Sequence, residues 1–441
     1  MSTPFSAFTL VEFLAFAGLS FLYVRADDSL SPRGKTECTI VAGILFAILV
    51  AARAPALLTF YRVWAEIGPL YFGYAYANGP LAALFNPASN YYDLAANLSS
   101  AVAVSAGLQW WPVVDTGSGL LVALLFPFVV AGTTQSISWR TGILLAVATA
   151  LYCVTASETF GTALHIKGWG PVYAALVFGS LAFKQPLNRV HIGLLLVLPF
   201  TGTPAAFALI IWAAAGFVLR QPYLVRPLVW SIPGLATQIG CALLPATNTG
   251  LAVRPFTFLG FASLPDLFLL KVGGAILWPA LFFSNLTPGT LELIAAAIVF
   301  LGVLGAAVFL ARRQPILLLV PIVALQFSAT AILAVGGAES LLQSGSGFRY
   351  YFAPVATLLI VLAIWASSWR LVTRVAAVAI CLCAVLANRD YNAMVEGLFF
   401  TPSHTSWSSQ ATTHLTSPSQ TLVNYPGAGG VQLPDCGEYH C

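Results

Sequence analysis

The sequence predicts an all-α protein, a polytopic transmembrane helical bundle of about 11 to 12 spans, and three observations carry that prediction. Of 441 residues, 59% are hydrophobic and 8% are charged, whereas a soluble domain carries about 25% charged residues. Apolar blocks close to the ~20 residues that a bilayer demands recur along the chain. Lys and Arg stand singly or in pairs between those blocks, leaving a net charge of +4. Too little charge remains to coat a soluble surface, and no basic stripe is formed. A cytosolic enzyme and a nucleic-acid reader are therefore excluded, and the lipid bilayer is the first partner.

The first apolar block, residues 5–24, contains Glu12. It lacks a basic leader and a small-residue cleavage site, so it reads as a first or interfacial helix rather than a cleaved signal. Spans follow near 39–54, 118–135, 141–157, 170–184, 190–200, 204–219, 228–246, 290–311, 315–335, 350–367 and 371–388. Cytoplasmic ends carry the basic residues. Placing Arg25, Arg33, Lys35, Arg140, Lys184, Arg189, Arg220, Arg226, Arg312, Arg313, Arg370 and Arg374 inside lets every later span alternate. That puts 12 of the 19 basic residues inside and 11 of the 15 acids outside. The acids play no part in choosing the parity, so their skew is independent support.

This parity divides the chain into an N-terminal helix and cytoplasmic loop (1–38), a membrane domain (39–400) with an outer loop at 55–117, and a polar extracytoplasmic tail (401–441). The implied location is the inner, or plasma, membrane. Residues 92–112 mix Asn and Ser with Ala and Val and hold the Trp110–Trp111 pair. They predict a helix along the outer surface, with the Trp pair at headgroup level. Residues 247–285 contain Arg254, Asp266 and Lys271 and predict a re-entrant or surface segment. The seven cysteines show no metal-ligand spacing. Cys436 and Cys441 share the tail, where a disulfide requires an oxidising compartment.

Ionisable groups at membrane depth or in short outer loops are costly unless paired or hydrated, so each is a candidate for chemistry. Glu66 lies in the first outer loop between Ala65 and Ile67, where desolvation would raise its pKa toward that of a general base. The competing reading is an ion pair with Arg62, four residues earlier on one helical face. Aromatic residues and Tyr91-Tyr92-Asp93 follow in the same loop. The second outer loop holds Glu158 and His165, a second carboxylate and a proton relay or metal contact, or else Glu158 caps or pairs locally with Lys167. Before the tenth span, Gly345-Ser346-Gly347 delivers Arg349 and Tyr350 to the interface. There the guanidinium grips a phosphate or anchors at the headgroups.

The order of these features resembles the GT-C superfamily of polytopic membrane glycosyltransferases, and within it the bacterial O-antigen-modifying glucosyltransferase type. The corresponding segments are Trp64-Ala65-Glu66-Ile67-Gly68, Tyr91-Tyr92, Glu158 with Trp169, Thr201-Gly202-Thr203-Pro204, and Arg349-Tyr350. One departure stands out: Ile67 occupies the place of the second acid of the first loop. The resemblance implies sugar transfer from a polyprenyl-phosphate-linked donor to a glycan or lipid acceptor on the extracytoplasmic face. Glu66 and Glu158 would then be catalytic, while Arg62, Tyr92, Asp93, His165, Arg349 and Tyr350 would bind substrate. A divalent cation is the one cofactor it leaves open. Two other readings compete: a lipid-linked glycan flippase using Glu12, Asp266 and Lys271 as buried coupling charges, and a catalytically silent scaffold.

Overall fold

The computed structural model describes residues 7–53, 68–88, 91–156, 162–163, 166–243, 258–287, 289–333, 339–343, 348–369, 371–399, 422–423 and 430–431. The described membrane region is helical throughout. Its longer helices are α1 (Ala7–Arg25), α2 (Pro32–Arg53), α3 (Leu94–Ala106), α4 (Trp111–Thr133), α5 (Ile137–Tyr152), α6 (Ile166–Ala182) and α7 (Arg189–Val197). They continue with α8 (Thr203–Val218), α9 (Ile232–Leu243), α10 (Thr290–Leu310), α11 (Leu319–Leu333), α12 (Phe348–Ser367) and α13 (Leu371–Phe399). In the tail, Leu422–Val423 and Gly430–Val431 form a short antiparallel pair.

Each apolar block thus becomes a helix, but not each becomes a full span. Among the described residues, six helices are long and apolar enough to cross a membrane: Pro32–Arg53, Leu108–Thr133, Thr290–Leu310, Pro315–Ile332, Tyr350–Ser367 and Leu371–Tyr391. Helices α5 and α8 have 16 residues each and α9 has 12, because Pro, Gly and short turns interrupt the blocks that supply them. Residues 258–287 form no single helix; they break into short α, π and 3-10 turns.

Helix α5 is the centre of the bundle. Every residue from Thr141 to Tyr152 is buried, so the helix is apolar on all sides and has no amphipathic stripe. Tyr23 of α1 packs in the same core and donates to the carbonyl of Ala363 on α12 at 2.7 Å. The opposite extreme is α10, whose Leu291, Ile298, Leu301 and Phe309 are all more than 60% exposed. An apolar helix exposed in this way requires lipid or another apolar surface around it.

One end of the bundle collects Arg140, Lys184 and Arg374, basic residues between the apolar blocks. Asp28, in the turn after α1, accepts from the Ile137 amide (2.7 Å) and the Ser136 hydroxyl (2.8 Å) at the start of α5. Arg140 donates to Thr39 of α2 and to the carbonyl of Thr134. Arg374 of α13 donates to the carbonyls of Ala26 and Ser367. Ser180 and Asn188 donate to the last carbonyls of α4, at Thr133 and Gly132.

Helices α6 and α8 terminate in the same manner. Lys184 (φ 57°) and Arg220 (φ 54°) take the left-handed position after the helix. The next amide donates five residues back, Gln185 to Ser180 and Gln221 to Gly216. Glycine is usual there; a cation instead places positive charge at the negative end of the helix dipole.

Helix α3 begins and ends at the other end of the bundle. Asp93, before it, lies beside residues 199–200 through Gln238, and Trp111, after it, starts α4. It therefore starts and finishes on one side of the bundle. The Trp pair behaves differently from the sequence reading. Trp110 is 52% exposed, but Trp111 is buried and stacks on Phe72 at 3.7 Å with rings 7° from parallel. Tyr71, Phe72, Ala96, Trp111, Ala163 and Ile166 form a second apolar cluster that covers this end, and it draws the second indole out of the interface.

Candidate functional site

Four segments remote in sequence meet at the end of the bundle opposite the basic residues: Tyr91-Tyr92-Asp93, the first turn of α6, the Leu198–Thr203 turn, and α9. Asp93 is the N-cap of α3. Its backbone is extended (φ −128°, ψ 95°), and its Oδ1 accepts from the amides of Ala95 and Ala96, both at 3.2 Å. This is the ordinary use of an Asp before a helix. The second oxygen is unusual, since Oδ2 is buried and makes no hydrogen bond among the described residues. Burial pushes the carboxyl up to about 7, against the opposing pull of the Lys167 ammonium and the two amides. A carboxyl that exchanges its proton near neutral pH is the property a general acid or base needs.

The neighbours of Asp93 are fixed by polar contacts. Gln238 of α9 clamps the backbone of Tyr92, accepting from its amide at 3.1 Å and donating to its carbonyl at 2.7 Å. The same amide group donates to the carbonyl of Pro199 at 2.8 Å. Tyr92 sets its ring edge-on to Phe200 with centroids 6.0 Å apart, and its hydroxyl donates to the carbonyl of Leu84. Tyr91 receives hydrogen bonds from the Tyr71 hydroxyl and from Lys167 Nζ, each at 3.2 Å.

Lys167 reaches this place because Gly202 lets it pass. Gly202 has φ +113°, and a Cβ there would lie 3.2 Å from the Lys167 Cβ. A side chain at 202 is therefore disfavoured both by backbone conformation and by crowding. The Thr201–Pro204 segment shapes the site through this glycine.

The remaining candidates fall into three groups. Arg62, Glu66, Glu158 and His165 lie outside the described residues, as does the Cys436–Cys441 pair. Arg349 occupies the first turn of α12, but its side chain lies outside the described set; Tyr350 beside it is half-buried against the main core. Trp169 is buried rather than presented to a ligand, packing 5.6 Å from Phe126 and 5.1 Å from Phe352. Its contact with Phe352 brings the start of α12, and hence Arg349, to the same end as Lys167.

Three polar residues not singled out as site candidates in the sequence also organise this end. Asp115, inside α4 and fully buried, accepts from the Ala163 amide at 2.9 Å and so fixes the strand of chain that leads to α6. An acid inside an apolar helix was the available signal. Asn388 of α13 accepts from the Val154 amide and donates to the carbonyl of Ile276. Gln238 is the third, and a lone Gln in an apolar block gives no comparable signal. Among the described residues, no three His, Cys, Asp or Glu side chains come together as a metal-ligand group.

The proposed coupling charges of a flippase have different partners. Glu12 accepts from the Tyr152 hydroxyl at 3.1 Å. Lys271 is fully buried and donates to the carbonyls of Leu341, Leu342 and Gln343. No ion pair joins Asp266 to Lys271 among the described residues. No family model, curated protein or solved structure matches this chain.

Proposed function

We propose that the protein is a membrane glycosyltransferase of the GT-C kind, moving a sugar from a polyprenyl-phosphate donor to a glycan or lipid acceptor. The observation that carries this reading is the convergence of Tyr91–Asp93, Lys167 and Thr201–Pro204 around a buried carboxyl at the end opposite the basic residues. By the positive-inside rule that end is extracytoplasmic, in the inner membrane.

The reaction divides among residues as follows. An acceptor hydroxyl attacks the anomeric carbon, the bond from that carbon to the phosphate oxygen breaks, and the lipid phosphate departs with the bonding electrons. Glu66 takes the hydroxyl proton, with Glu158 as the second carboxylate. Arg349, Arg62 and His165 hold the phosphate, and Lys167 adds positive charge. Tyr92, Asp93 and Tyr350 line the acceptor side. A single displacement of this kind inverts the anomeric configuration.

Glu66→Gln in membranes supplied with a polyprenyl-phosphate sugar and a crude glycan acceptor tests the assignment. Transfer should fall by at least about 100-fold, the usual contribution of a general base. Undiminished transfer removes Glu66 from the mechanism, and no transfer by the wild type with any such donor removes the reading itself.

A further inference from the structure

A second polar locus lies deeper in the bundle, between α6, α8, α11 and α12. Pro171 and Ala174 on α6 and Ala208 on α8 are compact side chains, and they line a cavity among otherwise close-packed helices. The walls are apolar except where Trp212, Gln326 and Thr357 contribute. These three residues come from three helices and are 1%, 3% and 2% exposed.

Each brings a polar atom that has no hydrogen-bond partner among the described residues: Trp212 Nε1, Gln326 Oε1 and Thr357 Oγ1. The other half of the Gln326 amide is accounted for, since its Nε2 donates to Thr330 Oγ1 at 3.0 Å. Three such atoms in one apolar wall are each costly if left alone. Their chemistry is complementary rather than repetitive, with one obligate donor, one obligate acceptor and one hydroxyl that does either.

We propose that this cavity is a binding site for a single structural water that joins α8, α11 and α12. The space open to the centre of a water molecule is about 20 Å³, above the ~10–15 Å³ that one water needs and short of an organic ligand. The water accepts from the Trp212 indole N–H and donates to Gln326 Oε1, and its remaining positions exchange with the Thr357 hydroxyl. That gives it about the three protein hydrogen bonds typical of a buried water. The site is independent of the glycosyltransferase reading, because that reading uses none of its residues.

The sign of a stability change tests the proposal. In the full-length protein in detergent, Thr357→Val keeps the shape and deletes the hydroxyl. With a water present it removes one of the water's bonds, and the Tm falls by about 2 °C; Thr357→Ser retains the hydroxyl and keeps the bond. Gln326→Leu lowers the Tm as well, and the double variant loses less than the two single losses together, because both act through one water. In a dry cavity the hydroxyl is a lone buried polar group, so Thr357→Val leaves the Tm unchanged or raises it, which overturns the proposal. An experimental density map of the wild-type protein gives a second, folding-independent readout: a peak within hydrogen-bond distance of all three atoms is expected, and an empty cavity refutes the site.

Discussion

Lys271 Nζ donates to the backbone carbonyl of Leu341 at 2.8 Å, across 70 residues of sequence. The same ammonium reaches the carbonyls of Leu342 at 3.2 Å and Gln343 at 2.6 Å. All three of its donors are thereby used on one short helical turn, Glu339–Leu342, and the residue after it. Tyr351 adds a bond to the same Leu341 carbonyl, and the Leu286 amide donates to that of Leu342. The turn that precedes α12 is thus pinned from three directions. A cation committed in this way has no donor left for a transported anion, which weighs against the flippase reading.

Lys271→Met should destabilise the protein by about 3 kcal/mol or more, because it leaves buried carbonyls without a donor. Thermal unfolding in detergent measures it. An unchanged Tm would mean that the clamp contributes nothing to the fold.

Asp93 gives the stability curve a pH dependence of predictable sign. Its carboxyl rises from the usual 3.8 to about 7 on folding. Between about pH 4 and pH 7 the unfolded chain has therefore lost a proton that the folded chain retains. Stability falls as pH rises through that window and levels off above it. Asp93→Asn lacks the titrating proton, so the Tm difference between wild type and variant should shift in favour of the variant from pH 4.5 to 7.5. A constant difference across that range would show that Asp93 is not raised.

Gln238→Leu removes three hydrogen bonds that hold Tyr92 and Pro199. The expected cost is about 2–4 kcal/mol, expressed locally. Hydrogen exchange should accelerate in residues 91–97 while the core helix α5 keeps its protection. Equal protection at 91–97 in the two proteins would remove Gln238 as the clamp.

Gly202→Ala places a methyl group where the backbone is left-handed and the Lys167 stem is close. About 1–3 kcal/mol of destabilisation is expected. If Lys167 serves the donor phosphate, the apparent KM for the donor should rise more than kcat falls. A variant with wild-type Tm and donor KM would dissociate Gly202 from the site.

Sidedness is read by labelling. Single cysteines at Ser29, exposed at the basic end, and at Asn78, exposed at the other end, should differ in access. Impermeant maleimide should modify Asn78→Cys in intact cells and Ser29→Cys only after lysis. The reverse pattern would place the Asp93 cluster in the cytoplasm.

Much of this architecture was legible in the chain because hydropathy and charge act locally and add along it. The apolar blocks became helices with nearly the expected bounds, as at α10 (Thr290–Leu310) and α12 (Phe348–Ser367). Arg140, Lys184 and Arg374 gathered at one end as their spacing between blocks required.

Tertiary structure alone decided which polar groups meet. Nothing in the local sequence says that Trp111 is buried on Phe72 while Trp110 is exposed, or that Lys167 lies beside Tyr91. The pairings of Lys271 with residues 341–343, and of Asn388 with Val154 and Ile276, are equally invisible. The physical reason is the cost of burying a polar group. Each must find a partner, and which partner is within reach depends on how the helices pack, a property of the assembled bundle rather than of any one segment.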